Sequence, residues 1–289
     1  MRKRRWLRAL VVAAAASFGV VVYEYLTLPD VRPLVTMNPS TTAFMELRAA
    51  EAAREGRTVR RVQRWVPYSR ISPALKRAVL VAEDAAFWDH EGVDYEELQK
   101  SIRVSWEQGR AMRGASTITQ QLAKNLYLSP SRNPLRKLRE LVIARRLEAA
   151  LPKARIFEIY LNVIEWGDGI WGAEAAARTY FAIPASALNA EQAALLAGAI
   201  INPRVHSPAR PTQRLRRRQQ IILSRMGEVT PPPAVPVAAA TPEETPVVEE
   251  LLAPPDFVAN PIPDAPDGLP DDETNPAEVS PPSLPAPAQ

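Results

Sequence analysis

The sequence predicts a mainly α-helical protein, with one membrane-spanning helix ahead of a helical domain at residues 66–227. Three observations carry that expectation. An apolar run at residues 9–28 follows a basic cluster. Helix-start signals recur between Trp65 and Met226, where strand patterns are almost absent. Beyond that, the composition changes abruptly: residues 229–289 hold 17 of the 29 prolines and 11 acidic residues, with no Lys or Arg. The tail therefore carries −11 and the whole chain +4, which leaves +15 on residues 1–228. So basic a body suits anionic partners: nucleic acid, anionic head groups or a phosphorylated substrate. Cysteine is absent, which excludes disulfides and thiolate chemistry. With His90 and His206 the only histidines, a zinc site of the common types is not expected, and no residue is assigned to a metal.

In chain order, residues 1–8 form a basic N-terminus and residues 9–28 a span of 20 residues, close to the ~20 a bilayer requires. Trp6 at one end and Tyr23 and Tyr25 at the other are placed like interfacial aromatics. A cleaved signal peptide is the rival, but few apolar residues precede the Ala-rich stretch that would be its cleavage site. Arg2, Lys3, Arg4, Arg5 and Arg8 ahead of the span predict a cytoplasmic N-terminus with the rest of the chain outside. Residues 29–65 read as a polar connector, helical in part at "TTAFMELRAAEAAREG". In the domain, Ser72-Pro73, Asp94, Ser116, Asn133-Pro134, Pro152 and Asn189 each mark a helix start. Residues 228–289 have the composition of a disordered segment.

Glu83, in "VAEDAAFWDHEG", poses the first chemical question. Wound as a helix, the stretch turns Glu83 into the apolar sector of Leu75, Ala78, Val79, Ala82 and Ala86, while Asp84 faces the other way. A carboxylate aimed at apolar surface is costly unless paired or used. Its pKa should rise, which suits proton exchange near neutrality, though a simple ion pair with Lys76 or another cation is the plainer reading. In "RGASTITQQLAKN", Thr117, Gln120, Gln121 and Lys124 share one helix face, a set suited to sugar hydroxyls and phosphate oxygens. Periodicity alone reads as well as a solvated face. Arg136 and Lys137 precede Glu140 by four and three residues in "NPLRKLRELVIARR", with Arg139 nearby. Cations at a helix start would hold a diphosphate, or simply form an intrahelical ion pair. Two carboxylates in different surroundings are a pattern typical of sugar chemistry.

"EDAAFWDHEG", "RGASTITQQLAKN", "RKLRE", "KARIFEIYLN" and "GDGIWGAEAAARTYF" stand in the order and approximate spacing of the signature blocks of peptidoglycan glycosyltransferases. The resemblance covers residues 66–226 and is similar to the glycosyltransferase domain of bifunctional penicillin-binding proteins. "GASTITQQL" with "RKLRE" is highly specific. Ala182 departs from the family, standing where it usually has Gly, and so does His206, in place of an aromatic.

The resemblance implies a lysozyme-like glycosyltransferase domain of two lobes, acting on lipid II and the growing lipid-linked glycan chain at a bacterial inner membrane. It implies an inverting transfer that makes β-1,4 links and releases undecaprenyl diphosphate. Glu83 matches the family's general base and Glu140 its second essential carboxylate. Arg136 and Lys137, with Lys124, would stabilise the diphosphate. Ser116, Thr117, Gln120, Gln121 and Asn125 would line the cleft, with Asp84 and His90 beside it and Phe87 and Trp88 against lipid. No organic cofactor is implied; a divalent cation, magnesium or manganese, is compatible with the diphosphate. Other cell-wall synthesis or division proteins are compatible partners, and nucleic acid is not among them. The sequence has no Ser-x-x-Lys, the nucleophile motif of a transpeptidase domain, so a monofunctional polymerase is expected. The alternatives are a membrane-anchored, lysozyme-like glycan-cleaving enzyme, which needs no cationic diphosphate site, and a membrane-anchored scaffold.

Overall fold

The computed structural model describes residues 2–109, 116–129 and 133–229. Arg113, Gly114 and Ala115, at the head of "RGASTITQQLAKN", lie outside these residues, as does nearly all of the acidic tail. Ten α-helices occur among the described residues: α1 (Arg2–Leu26), α2 (Ala43–Arg54), α3 (Pro73–Glu83), α4 (Tyr95–Gln108), α5 (Ile118–Tyr127), α6 (Pro134–Ala150), α7 (Lys153–Val163), α8 (Ala173–Phe181), α9 (Ala190–Ala199) and α10 (Gln213–Arg225). The mainly helical expectation holds. One small sheet was not anticipated: β1 (Val62–Gln63) runs parallel to β3 (Ile170–Trp171), which pairs antiparallel with β2 (Glu165–Gly167). Strands this short carry no period for a sequence to display.

Most starts fall where side-chain chemistry put them. Ser72 accepts the Leu75 amide, Asp94 that of Glu97 and Asn133 that of Leu135, while Asn189 forms a full capping box with Gln192. Such caps contribute about 1 kcal/mol each. One start is displaced: Thr117, not Ser116, caps α5, accepting the Gln120 amide. A second difference matters more. The chain does not stay helical through "VAEDAAFWDHEG"; α3 ends at Glu83, and Asp84 is its C-cap at φ −167°.

Helix α7 forms the centre, buried from Ala154 to Val163. Three of its polar side chains, Arg155, Glu158 and Asn162, are satisfied in part by neighbouring backbone. Arg155 donates to the carbonyls of Leu34 and Met37 at 2.9 Å and pairs with Glu158, which accepts the Tyr68 amide at 2.7 Å. Asn162 both accepts from Val66 N and donates to Val66 O at 2.9 Å. These bonds tie residues 31–38 and 66–68 onto the core, and Val31, Leu34 and Met45 pack into it. Gly172 stands at φ +84° where the chain turns from β3 into α8, and a Cβ there would lie 2.6 Å from the Asn162 carbonyl oxygen.

Helix α9 packs against both α3 and α10. Gly198 permits that approach, since a Cβ on it would already lie 3.1 Å from Leu215 Cδ1 and 3.7 Å from Arg218 Cγ.

At the end of α8, Ala182 adopts φ 58° and donates its amide to Arg178 O at 3.0 Å. The left-handed conformation costs an L-residue about 1 kcal/mol or more, whereas glycine takes it freely. Ala182→Gly is expected to raise the unfolding free energy by about 1 kcal/mol, less the extra unfolded-state entropy of glycine. Thermal denaturation of the two proteins measures it.

Candidate active site

The C-terminal end of α3 delivers Glu83 to the wall of a cleft of ≈ 920 Å³, also lined by Asp84, His90, Ser116, Thr117 and Arg225. The Glu83 side chain is only 12% exposed. Gln121 Nε2 donates to one carboxylate oxygen at 3.0 Å, and the Gln121 amide oxygen accepts from the Tyr160 hydroxyl at 3.0 Å. On the other oxygen, Arg218 Nη2 stands at 3.5 Å while donating to the Ala82 carbonyl at 3.2 Å. Burial pushes the Glu83 pKa up; Gln121, Arg218 and Lys124 oppose that rise, and Asp84 adds to it. A buried carboxylate held by a neutral amide and by an arginine at longer range can still accept a proton.

Asp84 does different work. It is buried, accepts the Ile118 amide at 2.9 Å and receives His90 Nε2 at 3.0 Å. The Gly92 amide donates to His90 Nδ1 at 3.2 Å, so Nε2 is the nitrogen that donates to Asp84. Asp84 and His90 thereby fasten the start of α5 to the end of α3.

Helix α5 separates the two carboxylates. Gln121 faces Glu83; Gln120 Oε1 accepts from Lys137 Nζ at 3.1 Å. Lys137 also reaches Ser116 Oγ at 3.3 Å and pairs with Glu140, whose other oxygen takes Arg136 Nη1 at 2.8 Å. Glu140 is buried beneath both cations. The Lys124 ammonium has no hydrogen bond or ion pair among the described residues and lies 5.7 Å from the centre of the Phe44 ring. Burial pushes its pKa down, Glu140 and Glu83 raise it, and Arg136 and Lys137 lower it further. A cation left unpaired between two carboxylates suits an anionic ligand that comes and goes.

The structure thus brings Glu83, Gln121, Lys124, Ser116, Lys137, Arg136 and Glu140 to the two sides of one helix. It places others differently. Thr117 and Gln120 are buried and both bond the Gly92 carbonyl, at 2.8 and 3.2 Å, so both fasten a loop, and Thr117 does so from the wall of the cleft. Asn125 is buried and donates to the Gln121 carbonyl at 2.8 Å. Phe87 was expected against lipid and is instead wholly buried, packed on Trp88 and Phe157; with α3 ended at Glu83, the turn folds its ring inward. Arg139 leaves the cation cluster for the end of α1, where it pairs with Glu24 at 2.8 Å and bonds Thr27. Tyr160 and Arg218 went unrecognised. Arg218 lies in a run of three arginines that reads as a solvated face, 135 residues from its partner.

A helical domain with a base-like carboxylate across one helix from a cation-flanked one is the site of a group-transfer enzyme working on an anionic substrate. The family model described as Transglycosylase matches residues 52–227. A protein of Dechloromonas aromatica (strain RCB) named biosynthetic peptidoglycan transglycosylase is 47% identical over 222 residues, 77% of this chain and 95% of that relative. Those of Laribacter hongkongensis (strain HLHK9), 46% identical over 79% of this chain and 99% of the relative, and Nitrosomonas eutropha (strain DSM 101675 / C91 / Nm57), 50% identical over 66% and 78%, carry the same name. The chain belongs to the transglycosylase family.

Proposed function

We propose that this transglycosylase is a peptidoglycan glycosyltransferase that polymerises lipid II into β-1,4-linked glycan strands. The observation that carries the reading is the division of labour across α5: Glu83 buried among groups that leave it basic, Glu140 locked between Arg136 and Lys137. Glu83 takes the proton from the acceptor sugar's 4-hydroxyl as that oxygen attacks the anomeric carbon of the donor, inverting it. The leaving diphosphate gathers negative charge, which Lys124, Lys137 and Arg136 stabilise. Glu140 fixes the two cations it touches. Each of its oxygens is engaged by one of them, and magnesium or manganese would enter as a counterion of the diphosphate.

The membrane anchor belongs to the same proposal. Among the described residues no helix is long and apolar enough to cross a membrane. In support of an anchor, the full sequence of residues 9–28 contains one charge, and Leu10, Val12, Phe18 and Leu26 of α1 are exposed. Tyr95, Ile102 and Trp106, 89% exposed, give α4 an apolar surface that lipid would cover. Such an anchor would hold the domain outside the cytoplasmic membrane, beside substrates tethered to the same bilayer.

Incubation with lipid II in detergent is expected to give long glycan, and Lys137→Ala to impair it through the diphosphate. Soluble muropeptides released from lipid-free sacculi, with no polymer from lipid II, would make the protein a glycan-cleaving enzyme instead.

A further inference from the structure

Helix α10 holds five arginines and no acidic residue. Two are engaged, Arg218 with Glu83 and Arg225 with Glu228. Arg214, Arg216 and Arg217 are exposed, and their guanidinium groups have no ion pair or hydrogen bond among the described residues. Arg214 and Arg217, three apart, share one helix face, where like charges repel. Gln220 and Ile221, the latter 58% exposed, continue that face. So dense a cationic surface with an apolar centre, close to the cleft that Arg225 lines, calls for an anionic and partly apolar occupant.

The chain carries one beyond the family match, which ends at residue 227. Residues 243–251 read "EETPVVEEL", placing Glu243, Glu244, Glu249 and Glu250 around Val247 and Val248. We propose that residues 243–251 dock on the solvent face of α10, their glutamates on Arg214, Arg216 and Arg217 and their valines on Ile221. Reach permits it: 14 residues from Val229 to Glu243 extend up to about 46 Å, against about 20 Å for the length of α10. Tethering raises the local concentration of the segment to the order of millimolar, enough for a modest electrostatic contact to be populated.

The absence of native cysteine allows a clean test. Full-length protein in uncharged detergent is spin-labelled through Gln220→Cys and Leu251→Cys, and the distance between the labels is measured by double electron–electron resonance. A narrow short-distance population is expected. It should be lost in R214Q/R216Q/R217Q, lost equally in E243Q/E244Q/E249Q/E250Q, and weakened near 1 M salt, where screening reaches about 3 Å. These positions are outside the catalytic machinery, so lipid II polymerisation in each variant reports separately on the proposed activity. A broad distribution unchanged by either set of substitutions overturns the dock. If the arginine variant instead loses affinity for phosphatidylglycerol vesicles, with the label distance unaltered, the face is a lipid surface and the dock is likewise overturned.

Discussion

Glu83→Gln is expected to lower the rate of lipid II polymerisation by about 10²–10⁴-fold, the range a positioned general base contributes. The substitution preserves shape, and the glutamine oxygen can still accept from Gln121 Nε2, so the cleft should keep its form. Only the capacity to take a proton is removed. The pH profile sharpens the test. Burial raises the Glu83 pKa, so the active ionised form should accumulate only as pH rises through that elevated value, giving kcat/KM an acidic limb that E83Q lacks. Arg218 opposes the rise; Arg218→Gln should move the limb to higher pH, with activity recovering in alkali, and Arg218→Lys should move it less. Lys124, Asp84 and Tyr160 also face the carboxylate and stay unchanged in these variants. A uniform loss at every pH in R218Q would mean that Arg218 only holds α10 against α3.

Stability should move the opposite way. A carboxyl with a raised folded-state pKa contributes its stability below the unfolded value and loses it as pH rises through the folded one. Wild-type protein should therefore lose stability relative to E83Q across that window, so that E83Q melts higher at neutral and alkaline pH. Near-normal glycan synthesis by E83Q would remove Glu83 from the mechanism.

How much of this was legible in the sequence follows from what each signal depends on. Caps depend on two or three adjacent residues, so Ser72, Asp94, Asn133 and Asn189 could be read directly. The approximate direction of Glu83 survived as well, because it closes a regular helix. The roles of Asp84 and Phe87 did not. Asp84 stops the helix by turning back to the Ile118 amide, a contact 34 residues away that no local period encodes. Gln120 looked like part of a solvated amide face; the loop carbonyl of Gly92 covers it. Arg218 was hidden by its neighbours, since only the packing of α10 on α9 and α3 distinguishes it from Arg216 and Arg217. The Glu140 cluster was legible because all three members sit within one turn of one helix.

That cluster gives the second large effect. Glu140→Gln is expected to cost about 1–3 kcal/mol of stability, since it leaves Arg136 and Lys137 facing each other and Lys124 without the buried carboxylate between them. The estimate stays below that for a fully buried pair because Lys137 is 43% exposed and solvent screens it. Polymerisation should fall by about 10²–10³-fold, the usual loss when a preorganised electrostatic contact to a developing charge is misplaced. Stability and activity can then be separated by a second change. Adding Lys137→Met removes the cation left unpaired, so E140Q/K137M should recover part of the lost melting temperature. It should recover none of the activity, because the ammonium that faces Ser116, Gln120 and the leaving diphosphate is gone as well. If stability and polymerisation returned together, Glu140 would be a structural counterion and the charge on the leaving group would be met elsewhere. Pyrophosphate offers an independent readout: it should raise the melting temperature of E140Q more than that of wild type, since it supplies the negative charge the carboxylate had provided, and should leave E140Q/K137M closer to wild type in that response.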